Sequence, residues 1–319
     1  MIADLLIHIG YHKTGTTWLQ NELFVSGNDV FEPLSSNPSR HSTLAKHFIQ
    51  ADDGVLLSSF DQNTAKVLSE ANLIMKHVDR FAGKVPVISH ERLSGNPHAS
   101  GFDSKLVAHR IHKAFPRAKI FIVIREQRSF ILSNYFQYLS IGGTDSLIKY
   151  LNSRYDGRRP HFSGKHVDYL PLVKEYMELF GNEKVLVLPY EQFKENPTAF
   201  MNRLGNFVGK DINVERLAFE VRRNKKEHQF VNYHLRKLNV FLKSSSVNDF
   251  SSVHNAFTRG VANAVLSLCS VVVPSKLNQN LLDSMKLDIE QWCNGRYRAS
   301  NAELESLIGI DLQLFGYDV

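Results

Sequence analysis

Nine consecutive residues near the start of the chain carry the densest chemistry in it: Gly10-Tyr11-His12-Lys13-Thr14-Gly15-Thr16-Thr17-Trp18. They follow the apolar run Leu5-Leu6-Ile7-His8-Ile9 and lead into a helix-period segment from Thr16 to Val25. Successive backbone N–H groups at such a strand-to-helix turn, added to the positive end of the helix, form a concave site for an anion. Gly10 and Gly15 permit the tight turn and the close approach of backbone to ligand. Lys13 contributes a point charge, and Thr14, Thr16 and Thr17 contribute hydroxyl donors, so a phosphate there meets both charge and directed hydrogen bonds. The triphosphatase loop GxxxxGK[ST] places its lysine after the second glycine and a hydroxyl on magnesium. Here Lys13 precedes Gly15, which sets this loop apart from that one.

A second set of anion ligands stands far along the chain. In Ile122-Val123-Ile124-Arg125-Glu126-Gln127-Arg128-Ser129-Phe130-Ile131-Leu132-Ser133, an arginine ends an apolar run and a serine follows eight residues later on the next helix. The carboxyl ends of parallel strands line one ligand crevice, so Arg125 and Ser133 are placed to converge with Lys13 on one nucleotide. Arginine offers a planar fork for phosphate oxygens. Alone, this pair reads equally as a surface ion pair between Arg125 and Glu126.

The loop GYHKTGTTWL resembles the phosphosulfate-binding loop of the sulfotransferase family, close to YPKSGTTWL, with agreement at Lys13, Gly15, Thr16, Thr17 and Trp18 and a departure at His12. The Arg125 and Ser133 segment is similar to the family's 3'-phosphate motif. Leu186-Val187-Leu188-Pro189-Tyr190-Glu191 resembles its segment around an aromatic that packs on adenine, with Tyr190 at the matching place and Trp18 on the other side of the base. The resemblance spans about residues 1 to 210, is closest to bacterial and carbohydrate-type members, and implies a P-loop-like fold. It also implies transfer of a sulfonyl group from 3'-phosphoadenosine-5'-phosphosulfate (PAPS), with release of the bisphosphate PAP. The nucleotide-binding residues it implies are His12, Lys13, Thr14, Gly15, Thr16, Thr17, Trp18, Arg125, Ser133 and Tyr190.

By analogy with phosphoryl transfer, such chemistry is mostly positioning and electrostatics. Lys13 is placed to neutralise the leaving oxygen, with Thr16 or Thr17 donating beside it. The base is sought in Val87-Ile88-Ser89-His90-Glu91-Arg92-Leu93-Ser94-Gly95, where many carbohydrate-type members carry a glutamate and the cytosolic phenol-type members a histidine. Glu91 is the first choice and His90 the second, with His12 a third. No acidic residue ends a strand in position to hold magnesium, so the expectation is metal-independent transfer. The acceptor's hydroxyl or amine belongs to a carbohydrate, glycolipid or other small metabolite. The stretch from Gly142 to Tyr169, with Arg154, Tyr155, Arg158, Arg159, His161, Lys165 and His166, reads either as an acceptor loop for an anionic headgroup or as a solvated lid. Two rivals are a P-loop nucleotide kinase or triphosphatase, and a non-catalytic nucleotide-binding protein.

The elements that must hold these residues are legible as continuous apolar runs at Leu5–Ile9, Val85–Ile88, Ile120–Ile124 and Val185–Leu188, a pattern of strands buried on both faces. Helix-period segments separate them: Thr16 to Val25, Thr64 to Phe81, Ser104 to Phe115, Ser129 to Leu139 and Leu170 to Phe180. The alternation predicts an α/β fold of three layers, a parallel sheet with helices on both faces. From 224 to 319 the pattern is helical, so the chain reads as a single domain over 1–319, with an α/β nucleotide-binding core at 1–223 and a helical C-terminal extension. Ser244 to Ser252 reads as a loop between helices, and Val261 to Pro274 as a buried helix.

With 38 Lys and Arg against 32 Asp and Glu, the net charge is +6. That favours anionic partners, but no nucleic-acid module accompanies it. The two cysteines, Cys269 and Cys293, lack metal-ligand or disulfide-framework spacing. The N-terminal residues lack a basic region followed by an apolar run, and no apolar run is long enough to span a bilayer. The expectation is a cytoplasmic protein, with a homodimer left open.

Overall fold

The computed structural model describes residues 5–35, 42–49, 57–76, 81–153, 161–219, 229–239, 247 and 274–319. Strand β1 (Leu6–Gly10) leads into a helix that is α over three residues, α1 (Thr16–Trp18), and then widens to a π turn over Leu19–Leu23. Strand β2 (Phe31–Pro33) precedes α2 (Ser42–Ile49), α3 (Leu57–Met75), β3 (Val85–Ser89) and α4 (Ser104–Ala114). Next come β4 (Lys119–Ile124), α5 (Gln127–Ser140), α6 (Leu147–Leu151) and α7 (Leu170–Phe180). Strand β5 (Val185–Pro189) is followed by α8 (Tyr190–Glu195), α9 (Pro197–Val208) and α10 (Gln229–His234), and finally α11 (Ser275–Cys293) and α12 (Arg298–Ile308).

The five strands form one parallel sheet in the order β2-β3-β1-β4-β5. Every residue of β1 and all of β4 from Ile120 to Ile124 are buried. Successive strand side chains point to opposite faces, so burial of both sets means helices cover both faces, as the unbroken apolar runs predict. Each such β-branched or aliphatic side chain contributes about 1.5–3 kcal/mol on full burial. The fold is therefore α/β with a parallel sheet.

Strand β2 leaves no apolar run in the sequence. Its three residues include a proline and an acid, and it lies at the sheet edge, where a missing ladder donor is tolerated. Glu32 is buried there because Ser26 Oγ at 2.8 Å and Lys84 Nζ at 3.6 Å satisfy its carboxylate. Helix α3 also starts earlier than the expected Thr64. The Ser244 to Ser252 segment apart from Val247, the run from Val261 to Val273, Cys269, and Arg154 to Pro160 lie outside the described residues.

The C-terminal helices share the sheet's core: Met285, Ile289, Cys293, Leu304, Leu312 and Tyr317 belong to the same buried cluster as β1 and β4. Helix α11 packs along α5. At the start of α5, Gln127 and Asn301 exchange side-chain hydrogen bonds of 2.7 and 3.3 Å, and Asn301 also donates to the Asp318 carbonyl. Both side chains are buried, so removing one strands the other. Asn301→Ala is expected to cost about 1–3 kcal/mol in urea denaturation, whereas Gln127→Leu with Asn301→Leu costs less, because paired removal leaves no orphaned group. Equal losses would show that packing, not the amide pair, sets the cost.

Candidate active site

The order of strands decides where a ligand can sit. From β1 the chain moves outward to β2 and β3 on one side and then to β4 and β5 on the other, so the connections diverge at the carboxyl end of β1, the crevice where open parallel sheets bind ligands. Register sets the heights. Gly10 pairs with Val123 and His8 with Ser89, so β4 runs past the end of β1 while β3 stops short of it. Three segments thus meet around one point: the Gly10–Trp18 loop, Arg125 beyond β4, and the 3-10 turn Glu91–Ser94 beyond β3.

Two residues of the loop have left-handed backbone, Lys13 at φ 64° and Gly15 at φ 82°. Gly15 needs no explanation beyond its lack of a β-carbon, and Tyr190 uses that gap: a β-carbon on Gly15 would stand 3.1 Å from its ring. Lys13 does carry a β-carbon, so this turn depends on the lysine's backbone as well as on the glycines. The Thr14 hydroxyl donates to the Tyr11 carbonyl, so it fastens the turn instead of facing a ligand. Thr16 Oγ1 is buried against Gly10 without a hydrogen-bond partner, a donor left for a ligand oxygen. Lys13 and Thr17 are exposed. Loop, lysine and spare hydroxyl together fit a phosphate-bearing ligand.

Arg125 closes the loop from the β4 side. Its Nη1 donates to the Lys13 carbonyl at 2.9 Å, its Nε reaches Ser129 Oγ at 3.4 Å, and its guanidinium lies 5.4 Å from the centre of the Tyr190 ring. Ser133, one helical turn beyond Ser129, shares that face of α5 and is half-buried. The ion pair with Glu126 does not form. Glu126 instead caps α5, accepting from the N–H groups of Arg128 and Ser129 at 2.9 and 2.8 Å and from Arg128 Nε at 2.8 Å. Glu191 accepts the Glu126 N–H at 3.2 Å, and burial pushes its carboxyl above the usual range. Arg125 therefore keeps donors for a ligand while both neighbouring acids are held by backbone.

The model of the sulfotransferase domain family matches residues 3–281. The chain belongs to the sulfotransferase family. No curated protein sequence matches it significantly. Among solved structures, a sulfotransferase from Alicyclobacillus acidocaldarius is similar over 99% of both chains at 16% identity and a TM-score of 0.52, a likeness of fold. A sulfotransferase domain from the curacin biosynthetic pathway matches 70% of this chain and 79% of its own at 14% identity and a TM-score of 0.42. Mouse sulfotransferase SULT7A1 complexed with PAP matches 91% and 86% at 13% identity and a TM-score of 0.36. Sulfotransferases are enzymes that move a sulfonyl group, and the family uses PAPS and releases PAP.

Several candidate residues of this sulfotransferase stand differently from expectation. Trp18 is 8% exposed; Phe219 stacks on it at 5.2 Å, Phe193 lies at 4.9 Å, and its Nε1 donates to the Ala218 carbonyl. It supports the loop from beneath, and Tyr190 is the ring at the crevice. His90 caps the 3-10 turn: its Nδ1 accepts the Arg92 N–H at 3.0 Å. That lone pair is occupied, so in the neutral ring the proton sits on Nε2, and burial holds the imidazole below its usual range against the pull of Glu91. Glu91 is 3.9 Å from that ring and more exposed. His12 is buried, with Nδ1 unpartnered. His98, three residues past the Val87 to Gly95 segment, is a further buried histidine, on which the charge of Lys13 acts; its only sequence signal is its place directly after the turn-forming Asn96-Pro97. Within the Gly142 to Tyr169 stretch, His166 is buried while Lys165 is exposed, so that end of the stretch is packed against the site and not a solvated lid. Among the described residues, no helix is long and apolar enough to cross a membrane.

The left-handed lysine can be tested without any substrate. A residue with a β-carbon costs roughly 1–2 kcal/mol in that conformation, so Lys13→Gly should be more stable than Lys13→Ala by about 1 kcal/mol in urea unfolding, opposite to the order found at ordinary backbone. Greater stability of Lys13→Ala would show that position 13 is not left-handed.

Proposed function

We propose that the protein transfers a sulfonyl group from PAPS to a hydroxyl or amine of a small-molecule or glycan acceptor, by metal-independent in-line transfer in the cytoplasm, as a single domain over 1–319. The observation that carries the reading is Arg125 hydrogen-bonded to the carbonyl of Lys13, which brings two anion-binding side chains from distant parts of the chain to one loop. A lysine at the reacting end and an arginine at the far end match a ligand with two separated phosphate groups.

In this reading Lys13 sits at the bridging oxygen between phosphate and sulfonate, where negative charge develops, with Thr16 and Thr17 beside it. Arg125 and Ser133 bind the 3'-phosphate, and the Tyr190 ring offers a face to adenine. The acceptor oxygen or nitrogen attacks sulfur as the bond from sulfur to the phosphate oxygen breaks. The acceptor's proton passes to Glu91, and PAP departs. Glu91 is preferred to His90 because the His90 Nδ1 lone pair already accepts the Arg92 N–H.

PAP should stabilise the folded chain in thermal denaturation, by about 2.7 kcal/mol at a hundredfold excess over its dissociation constant, while magnesium ATP gives a much smaller shift. The reverse order would favour a nucleotide kinase. Lys13→Ala should lower turnover with radiolabelled PAPS far beyond tenfold, or about 1.4 kcal/mol of barrier. Arg125→Ala should chiefly weaken PAP binding, because the 3'-phosphate is remote from sulfur. Glu91→Gln should lower turnover by about 10²- to 10⁴-fold with PAP affinity nearly intact. His90→Asn should do much less, its side-chain oxygen being able to cap the same N–H. A crippling His90→Asn beside a mild Glu91→Gln would transfer the role of base to the histidine.

A further inference from the structure

Next to Lys13, three buried histidines and the half-buried Arg92 carry buried nitrogen atoms without hydrogen-bond partners. His98 and His12 are each 7% exposed and His166 is 5% exposed. Both ring nitrogens of His98, Nδ1 of His12, Nε2 of His166 and Nη1 of Arg92 have no hydrogen-bond partner. Such groups are rare in folded proteins, and each calls for an explanation such as a bound ligand. They form one neighbourhood: Lys13 and Arg92 act electrostatically on His98, His98 and Arg92 on His166, and His166, His98, Arg92 and His90 on His12. Three come from different parts of the chain, the loop after β1, the turns after β3 and the stretch before α7. Among the described residues, no three His, Cys, Asp or Glu side chains are grouped as a metal would require.

The chemistry of the cluster selects its ligand. A neutral imidazole offers one donor and one acceptor, and a hydroxyl group, which both donates and accepts, can meet either nitrogen. Burial, reinforced by Lys13 and Arg92, holds His98 at about 4, and burial holds His166 at about 4, so both rings are neutral at neutral pH. Arg92 is balanced by Asp103 at 3.0 Å, and its second nitrogen adds a donor without adding net charge. With PAPS in place Lys13 is engaged by the donor, itself a polyanion, and an anionic acceptor would meet like charge. An ammonium group would have to give up its water among neutral imidazoles that offer no compensating negative charge.

We propose that His98, His12, His166 and Arg92 Nη1 bind the acceptor, and that the acceptor is an uncharged polyhydroxylated molecule of the glycoside type. The inference rests on the donor reading above and narrows its acceptor to hydroxyl groups. One hydroxyl oxygen attacks sulfur, the bond from sulfur to the phosphate oxygen breaks, and the proton goes to Glu91, while the other hydroxyls are held by the imidazoles.

The test uses the full chain, radiolabelled PAPS, and three acceptors with a common aryl group: p-nitrophenyl glucoside, glucuronide and glucosaminide. The glucoside should exceed both charged analogues by about tenfold or more in kcat/KM, the scale set by burying an unmatched charge. His98→Leu should raise the glucoside KM about tenfold while kcat and the PAP dissociation constant stay within about twofold, the mark of lost acceptor binding. Its melting temperature should not fall, because two unpaired nitrogens are removed, and His98→Gln, which keeps a donor and an acceptor, should recover most of the affinity. Should His98→Leu fail to fold, Gly101→Ala serves instead: a β-carbon there collides with His166 Nδ1 and should raise the same KM. A preference for the glucuronide or glucosaminide overturns the proposal. So does an unchanged KM in the variant, or failure of a PAP-binding enzyme to use the glucoside. An enzyme that binds no PAP at all fails at the donor reading instead, and this inference falls with it.

Discussion

Lys13 must hold a left-handed backbone while its carbonyl points at Arg125, and the rest of the site follows from that. The conformation costs roughly 1–2 kcal/mol for a residue with a β-carbon. A hydrogen bond from a charged donor contributes about 1.5–3 kcal/mol, toward the lower end where water competes, so Arg125 Nη1 on the Lys13 carbonyl is of the right size to offset it. The Thr14 hydroxyl on the Tyr11 carbonyl and the Tyr11 N–H on the Val123 carbonyl at 3.2 Å fix the entry to the turn. With these in place, the turn that carries the exposed Lys13 and the unpartnered Thr16 hydroxyl is set before any ligand arrives, which is the condition for electrostatic catalysis without reorganisation.

That arrangement requires Arg125 to be available, and its availability is determined elsewhere. A neighbouring Glu126 would ordinarily be its partner, yet the carboxylate is spent on the first N–H groups of α5 and on Arg128. Arg128 in turn donates to the Gly316 carbonyl at 2.6 Å, and Tyr317 donates to Glu191. The C-terminal segment is thus coupled to the surroundings of Arg125 through polar contacts as well as through the shared core. In a fold whose ligand crevice lies at strand ends, this is where an added helical segment can influence ligand affinity without touching the ligand.

The parts of this design that the sequence displays are those written in short-range patterns. Unbroken apolar runs mark β1, β3, β4 and β5 because both faces of each are buried, and the order of Lys13, Gly15, Thr16 and Thr17 marks an anion loop because turn geometry and side-chain chemistry are both local. Contacts across the chain are not written that way. Nothing near Trp18 says that Phe193 and Phe219 will enclose it, and nothing near Thr14 says that its hydroxyl will turn back to the Tyr11 carbonyl. The edge strand β2 is invisible for a different reason, its apolar pattern being interrupted by Glu32 and Pro33, which only its edge position and the Lys84 ion pair make acceptable. His98 and His166 are hidden because a histidine's role is set by what surrounds it, and here residues about seventy positions apart supply the surroundings.

The uneven distribution of cost is itself informative. Elsewhere the fold can close a buried polar group: the Asn239 amide donates to the carbonyls of both Leu139 and Gly143. Beside Lys13 the same chain leaves imidazole nitrogens and a guanidinium nitrogen open, at about 1–3 kcal/mol for each unmatched group. Five side chains of β4 that are wholly buried contribute about 1.5–3 kcal/mol apiece, so the sheet can carry this load without loss of the fold. Unpartnered buried atoms such as Tyr176 Oη and Gln192 Oε1 also stand singly elsewhere, but beside Lys13 several are gathered, and a ligand bound there would match them together. The lysine next to them is the one proposed to stand where the sulfonyl group changes hands.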